Sequence, residues 1–560
     1  MRKTLASFCA MLTLLIVLTS SPSATSASST VPRYKALSYR VVGHGTDYVV
    51  VRGHHRKLVV RDHHRYATGR DGRRYRVVRR AYRYVVLRRV ASPTPTPAPT
   101  GPDHYVATTG NDTTGNGSAG SPWRTIQKAA NSVSAGEVVS VGPGTYNERV
   151  TIPAGASGTA ADTTQFIANG SVVVSQAFVI NSNYTVLDGF EVTPGSSSIT
   201  DNQRTVGQVQ IAGNYDTVKN LYIHDLVRGT GITVAYGKVY NTIDSCTISK
   251  PKQGGIGSSN DLLGPSYTTV RNCTISKWAG EVGLDTVGDH WTVEGCTLRG
   301  VSTSDYQNPA TQNGDGIWAN HSSHNVIRNC RIYDIWSYRG YASGEHADGI
   351  QIWTGCTDLK VDSCTIGSWK PGGADNTPGP TMGFMFGTVS DGSANGVTIQ
   401  NCLFLDGVAA NTHPTATGLT NGTLNLTFTN NTFFGNYPEL SHVTSITLRN
   451  NVFYSHRGFG GTIDADHNAF MWMPWESGSS SMSSAEGAHS LGKTYATRLV
   501  AANIFVNPDV SVTTDYGLNA DFSPKPGSVQ IGAGDPAYAP THDITGAARS
   551  ATAPSIGAYE

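Results

Sequence analysis

Three acids stand just ahead of short apolar segments: Glu281 before Val282-Gly283-Leu284, Asp315 before Gly316-Ile317-Trp318, and Asp348 before Gly349-Ile350-Gln351. If these segments stack as neighbouring strands about 4.8 Å apart, Asp315 and Asp348 come within about 5 Å, with Glu281 about twice as far from Asp348. Carboxyls this close do not both ionise readily, so one keeps a proton while its neighbour stays charged. That division of labour suits acid–base cleavage of a glycosidic bond. Separations of about 6.5–9.5 Å also leave room for the attacking water of an inverting hydrolase. His346 and His321 are near enough in sequence to move protons. Trp318, Trp353, Trp336 and Tyr338 offer ring faces to a sugar, and Gln351, Asn320 and Lys252 offer polar contacts. Lys252 or Arg228 would supply the base or charge neutraliser of a β-elimination. Asp-Gly before a strand is also ordinary turn chemistry, and this plain reading weighs more on Asp315 than on Asp348. His321 and His324 read as turn residues.

A repeat must position these groups. An apolar residue, a variable one, then Asn, Gly or Ser, then Cys or Asn, recurs along the chain. It reads Ile243-Asp244-Ser245-Cys246, Val270-Arg271-Asn272-Cys273, Val293-Glu294-Gly295-Cys296 and Ile327-Arg328-Asn329-Cys330, and continues through Cys364 and Cys402 to Asn431 and Asn451. Weaker copies surround Gly189 and Leu221. The anchors lie 20 to 38 residues apart, the period of a solenoid coil with loops of varying length. Period-2 alternation in each short strand gives an inner and an outer row, and stacked coils bury a core that one coil cannot. The predicted fold is all-β: a right-handed parallel β-helix of about ten or more coils. Pro122 to Ala130 reads as a short capping helix at its N-terminal end.

The residue before each anchor suits a tight left-handed turn, which Asn tolerates, and the anchor Cys suits a small apolar slot. Six of the eight cysteines fall on this position, and Cys9 lies in the apolar N-terminal run. Cys356 lies off the ladder and close to Cys364, so a bridge between the two is one alternative and buried free thiols the other.

The ends and the charge divide the chain further. Met1-Arg2-Lys3, the apolar run Leu5 to Leu18 and the small residues up to Ala27 have the layout of a secretory signal peptide, 1–27. The expectation is a secreted, extracellular or wall-associated protein without a membrane span. Between Arg33 and Arg89 lie 17 of the 42 basic residues but only three of the 40 acids, whereas the rest, with Arg2 and Lys3 set aside, carries 23 basic and 37 acidic residues. A basic arm (28–91) thus joins an acidic body through the Pro/Thr linker 92–102, an extended spacer. The body divides into the helix proper (103–460) and C-terminal coils with a closing segment (461–560). The arm alternates apolar and basic residues, suggesting short hairpins or partial disorder, and suits an anionic cell-wall polymer; a solvated linker is the plain alternative. Nucleic acid is an unsuitable partner for an exported chain. The pairs His54-His55 and His63-His64 could hold a metal but have no Cys or carboxylate at useful spacing for one.

Tyr105-Val106-Ala107-Thr108-Thr109-Gly110-Asn111-Asp112, Ser121-Pro122-Trp123-Arg124-Thr125-Ile126-Gln127-Lys128-Ala129, Gly142-Pro143-Gly144-Thr145-Tyr146-Asn147-Glu148 and Val186-Leu187-Asp188-Gly189-Phe190-Glu191-Val192 resemble the opening coils of the pectate-lyase-like superfamily of right-handed β-helix proteins. Asp543-Ile544-Thr545-Gly546 and Ser555 to Glu560 resemble the closing segment of secreted members. The resemblance implies the β-helix but not one activity, since lyases, hydrolases, epimerases and adhesins share it. Locally the nearest likeness is to the calcium-dependent pectate lyases of family nine. There an Ala-Asp-Gly-Phe segment gives a calcium ligand, a Lys five residues on is the base, and an acid-rich segment on the next coil completes the site. Ala347-Asp348-Gly349-Ile350 matches the first, but Trp353 stands in place of Lys and Thr381-Met382-Gly383-Phe384-Met385 carries no acid. Calcium needs several oxygen ligands, so that site is broken and no metal ligand is assigned.

Three functions fit. A monomeric polysaccharide lyase acting on a uronate-containing polymer comes first; an inverting glycoside hydrolase using the acid ladder, and a non-catalytic wall or adhesion protein, are the alternatives.

Overall fold

The structure is a computed structural model. It describes residues 101–560 except 194–204, 261, 281, 301–313, 334–346, 353–354, 368–380, 387–393, 406–407, 413–424, 435–437, 440–442, 454–460, 472–485, 494–496 and 509–519. Before residue 101 it describes the backbone of six strands. The chain separates into two units, Met1–Thr100 and Gly101–Glu560. In the first, Tyr39–Val42, Asp47–Arg52 and Arg56–Arg61 form one antiparallel meander, and Tyr66–Thr68, Arg74–Ala81 and Tyr84–Arg89 form another. The alternation of the arm is thus expressed as hairpins. The signal-like segment and most of the linker lie outside the described residues. Among the described residues no helix is long and apolar enough to cross a membrane.

The second unit is the solenoid that the repeat predicts. Three parallel sheets run its length. An 11-stranded sheet extends from Arg149–Ile152 to Pro438–Glu439, a 14-stranded sheet from His104–Val106 to Thr462–Asp466, and a 13-stranded sheet from Gly144–Tyr146 to Ala469–Phe470. Each coil visits the three in that order, and every strand pairs in register with its copies on the neighbouring coils. On the first sheet Val150, Phe178, Val209, Ile232, Ile256, Leu284, Ile317 and Ile350 share one buried row. On the third, Phe404, Phe433, Phe453 and Phe470 stack with ring centroids 4.6–5.5 Å apart. Strands of three to six residues present too little apolar face to stand alone, and stacking makes one continuous core of them.

Register moves one anchor. Glu191 pairs with Tyr222 and Tyr222 with Thr247, so the residue equivalent to Leu221 and Cys246 is Phe190, and Gly189 takes the turn position before it. That turn position is left-handed throughout: Gly189, Asn220, Ser245, Asn272, Gly295, Asn329, Ser363, Asn401, Asn430 and Asn450 all have φ between 54° and 84°. Asn, Ser and Gly recur there because few side chains accept that conformation. All seven cysteines of the unit are free and buried, Cys356 included. Its Sγ lies 2.8 Å from Ala319 O and 3.3 Å from Ser322 Oγ.

The capping helix is shorter than expected, Ile126–Ala130. Asp112 accepts the N–H groups of Arg124 and Thr125, Glu148 accepts those of Ile126 and Gln127, and the Thr125 hydroxyl accepts from Lys128 N. These acceptors satisfy the exposed donors of a helix start and fix it four residues after Pro122. At the other end the chain tail docks sideways. Arg549, buried, donates to Asn401 Oδ1 and to the carbonyls of Gly557 and Ala558, while Ala558 N donates to the Thr432 hydroxyl. Ile556 joins Leu403, Leu405 and Val452 in a second apolar cluster on the outer face of the third sheet.

Candidate functional site

Asp315, Trp318, Asp348 and Gln351 sit on two adjoining strands of the first sheet, Asp315–Ala319 and Ala347–Ile352, flanked by Val282–Asp285 and Thr381–Phe386. Register sets who meets whom. Asp285 pairs with Trp318, Trp318 with Gln351, and Gln351 with Met385, forming one row. Ile317 pairs with Ile350, so the same offset stacks Asp315 and Asp348 on neighbouring rungs. The glycine after Asp315 has its own reason. A Cβ on Gly316 would lie 2.5 Å from Gly349 O and 2.7 Å from Ile332 Cγ2, against the core. The coil dictates the Gly of the Asp-Gly pair; it does not dictate the Asp.

Both carboxyls are fully out of water. Asp315 Oδ1 accepts the backbone N–H of Asp348 at 2.7 Å, and Asp315 Oδ2 accepts the indole N–H of Trp318. Both Asp315 oxygens therefore hold neighbours in place: one the backbone of the next rung, the other a half-buried aromatic ring. Asp348 is the member set upon this support. Gln351 is also buried, and Asn320, at the end of the Trp318 strand, is nearly so.

Asp315 pairs with Val282, an apolar residue, on the preceding rung. Glu281 itself lies outside the described residues, as do His346, Trp353, Trp336 and Tyr338. Lys252 stands on the loop before Ile256–Ser258, two rungs before Asp315, about 10 Å along the axis. His321 and His324 are turn residues with φ of 44° and 56°. Asp348 pairs with Met382, and Met382 with Val408, so the carboxyl is not repeated on the next two rungs.

Two features escaped the sequence reading. Asp285 is buried beside Trp318 and adds a third acid to the strands around the pair. Its signal was an acid at the end of a core strand, Val282-Gly283-Leu284-Asp285. The second is a row of six rings at the left-handed turn between the first and second sheets. Tyr184, Tyr215, Tyr240, Tyr267, His290 and His324 stack with successive centroids 4.6, 5.0, 4.7, 4.5 and 4.8 Å apart. Each interior ring has both faces covered by its neighbours, so the row offers edges and hydroxyls to solvent. It is visible in sequence only once the coils are aligned by register.

A family model described as "Right handed beta helix region" matches residues 207–471, and one described as "Protein of unknown function (DUF1565)" matches residues 108–153. The solenoid is a right-handed parallel β-helix. Among solved structures, this β-helix is similar to the pectate lyase Pel9A (18% identity, 82% of this chain and 96% of that chain, TM-score 0.41). It is similar to a rhamnogalacturonan lyase (15% identity, 75% and 96%, TM-score 0.39) and to the GH136 lacto-N-biosidase from Eubacterium ramulus (13% identity, 66% and 68%, TM-score 0.43). No curated protein matches the sequence.

Proposed function

We propose that this chain is a secreted enzyme that cleaves glycosidic bonds in an extracellular polysaccharide, with Asp348 as its acid–base group and Asp315 as the residue that positions it. The observation that supports this reading is the carboxyl pair on adjacent rungs. The core does not require it, the flanking rungs do not continue it, and it lies beside Trp318 and Gln351. Two carboxyls out of water share their charge unequally, so one retains the proton that a leaving glycosidic oxygen needs. Hydrolysis with a proton-holding and an ionised carboxyl is the chemistry such a pair serves most directly. Elimination on a uronate-containing polymer is the second reading, favoured by the likeness of Ala347-Asp348-Gly349-Ile350, on the first sheet, to the family-nine segment. Incubation with neutral and uronate-containing polysaccharides separates the two. Hydrolysis releases reducing ends alone, whereas elimination also creates ultraviolet-absorbing unsaturated ends. Absence of both from every polymer would leave the β-helix or the arm to adhesion.

In the same reading the basic arm holds the enzyme on an anionic wall polymer. Exposed charges are screened beyond about 8 Å at physiological salt, so co-sedimentation with wall polymer falls as salt rises. Equal co-sedimentation by a chain lacking residues 28–91 would give the arm another role.

A further inference from the structure

Far from the acid pair, on the last coils, a second group of titratable side chains converges. Thr462–Asp466 pairs with Ser445–Arg449 on the second sheet, which makes His467 the counterpart of Asn450 at the left-handed turn, with φ of 54°. Past it, Ala465 bridges to Glu486 and Ala469 to Leu491, so the segment 486–491 lies alongside as the following rung. His489 arrives there one rung beyond His467, and the two imidazoles stack with centroids 4.6 Å apart.

Asp466 faces both rings. Its Oδ2 is 2.8 Å from His489 Nδ1 and 3.6 Å from His467 Nδ1, while its Oδ1 accepts the backbone N–H groups of His467 and His489. The three donor atoms all lie within 4.8 Å of one another. Two ligands of a tetrahedral zinc, each about 2.0–2.1 Å from the ion, stand roughly 3.3 Å apart, so 2.8 and 3.6 Å bracket the spacing required. His467 Nδ1 is out of water and has no hydrogen-bond partner, since 3.6 Å is too long for one. Gly487 allows the approach, because a Cβ there would lie 2.2 Å from the Asp466 carboxyl carbon. Arg449 is the nearest cation, but its Nη2 is taken by Asp464 and its Nη1 stays 3.9 Å from Asp466.

We propose that Asp466, His467 and His489 form a site for a divalent transition metal of the zinc class, which ties the last coil of the second sheet to the segment that follows it. Two imidazoles and one carboxylate suit zinc rather than calcium or magnesium, which take oxygen ligands. His489, 67% exposed, leaves the remaining position to water. The ion joins residues more than 20 positions apart near the C-terminal end of the sheets, and end coils fray most easily.

The test is calorimetric titration of the full chain with zinc chloride, together with thermal unfolding with and without zinc. The comparison is with His489→Ala, which removes an exposed ring, and His467→Asn, which installs the residue already used at this turn in Asn430 and Asn450. Any zinc taken up by the histidine pairs of the arm is the same in all three proteins, so the readout is the difference. The wild type takes up one more zinc per chain than either variant, with affinity at that site at least about 100-fold higher. Zinc raises its Tm more than theirs, and calcium does neither. Equal zinc uptake and equal Tm shifts in all three proteins, or a wild-type response to calcium alone, would overturn the proposal.

Discussion

Two sets of buried polar side chains run along this helix, and they are built on opposite principles. At the anchor position, thiols fill the slot from Cys246 to Cys402 and amides fill it from Asn431 to Asn468. Each thiol reaches a carbonyl of the coil before it and the carbonyl two residues back, as Cys296 Sγ does at 3.7 Å from Val270 O and 3.5 Å from Glu294 O. Each amide does more. Asn451 accepts from Asn431 N and Nδ2 and donates to Phe428 O and Asn468 Oδ1, so every rung satisfies the next. The acid pair on the first sheet has no such continuation: Val282 and Met382 stand on either side of Asp315 and Asp348. Polar groups that a fold requires repeat with the coil. Those that interrupt an apolar row and bond across a single step are the ones to ask about function.

The sharpest way to break this contrast is at the acid pair. Asp348→Asn is expected to fold and to lose about 10²-fold or more of the activity on the polymer found by screening, the scale of an acid–base group. Asp315→Asn loses activity as well as stability, because an amide cannot accept from both Asp348 N and the Trp318 indole. Far-ultraviolet circular dichroism and turnover, measured side by side, distinguish the two variants.

In the ladder the pattern reverses. Asn451→Ala is expected to cost roughly 4 kcal/mol by denaturant unfolding, since several buried partners lose their bonds together, while activity per folded molecule is unchanged.

A third ladder sharpens the comparison through pH. Asn241 Oδ1 accepts from Asp216 N, and Asn241 Nδ2 donates to Gly213 O. Asp216 fills the equivalent place one coil earlier, accepting Thr185 N at Oδ1, with Oδ2 where an amide nitrogen would be. Burial, which outweighs the Thr185 N–H and Lys238, pushes its carboxyl up to about 8. It therefore folds as a neutral acid in the role of an amide. A carboxyl raised in the folded state contributes its stability below the ordinary value of 3.8 and loses it as pH climbs to about 8. Asp216→Asn is accordingly more stable than the wild type by on the order of 3 kcal/mol at pH 8 and nearly equal to it at pH 4, measured by urea unfolding at both values.

Smaller still, Cys296→Ala removes a space-filler and costs about 1 kcal/mol. Asp358→Asn, at an exposed left-handed turn beside His324, shifts stability by less than about 0.5 kcal/mol and leaves activity intact.

The sequence by itself determined the coil. Its period, the alternation of apolar residues and the Asn, Gly or Ser before each anchor are local signals, because a left-handed turn and a buried row constrain residue types at each rung independently. It also marked Asp348, through a segment likeness, and Asp315 beside it. Beyond that pair, what depends on alignment between coils escaped it. The intervening loops vary in length, so nothing in the chain states that Gly189 belongs to the turn and Phe190 to the anchor, that Val282 meets Asp315, or that Tyr184 and His324 lie in one stack. The same holds for Asp285 beside Trp318, for Arg549 reaching Asn401, and for His467 meeting His489. Those were decided by the hydrogen-bonded register of parallel strands, which sets each residue against its neighbour on the next coil however long the loop between them.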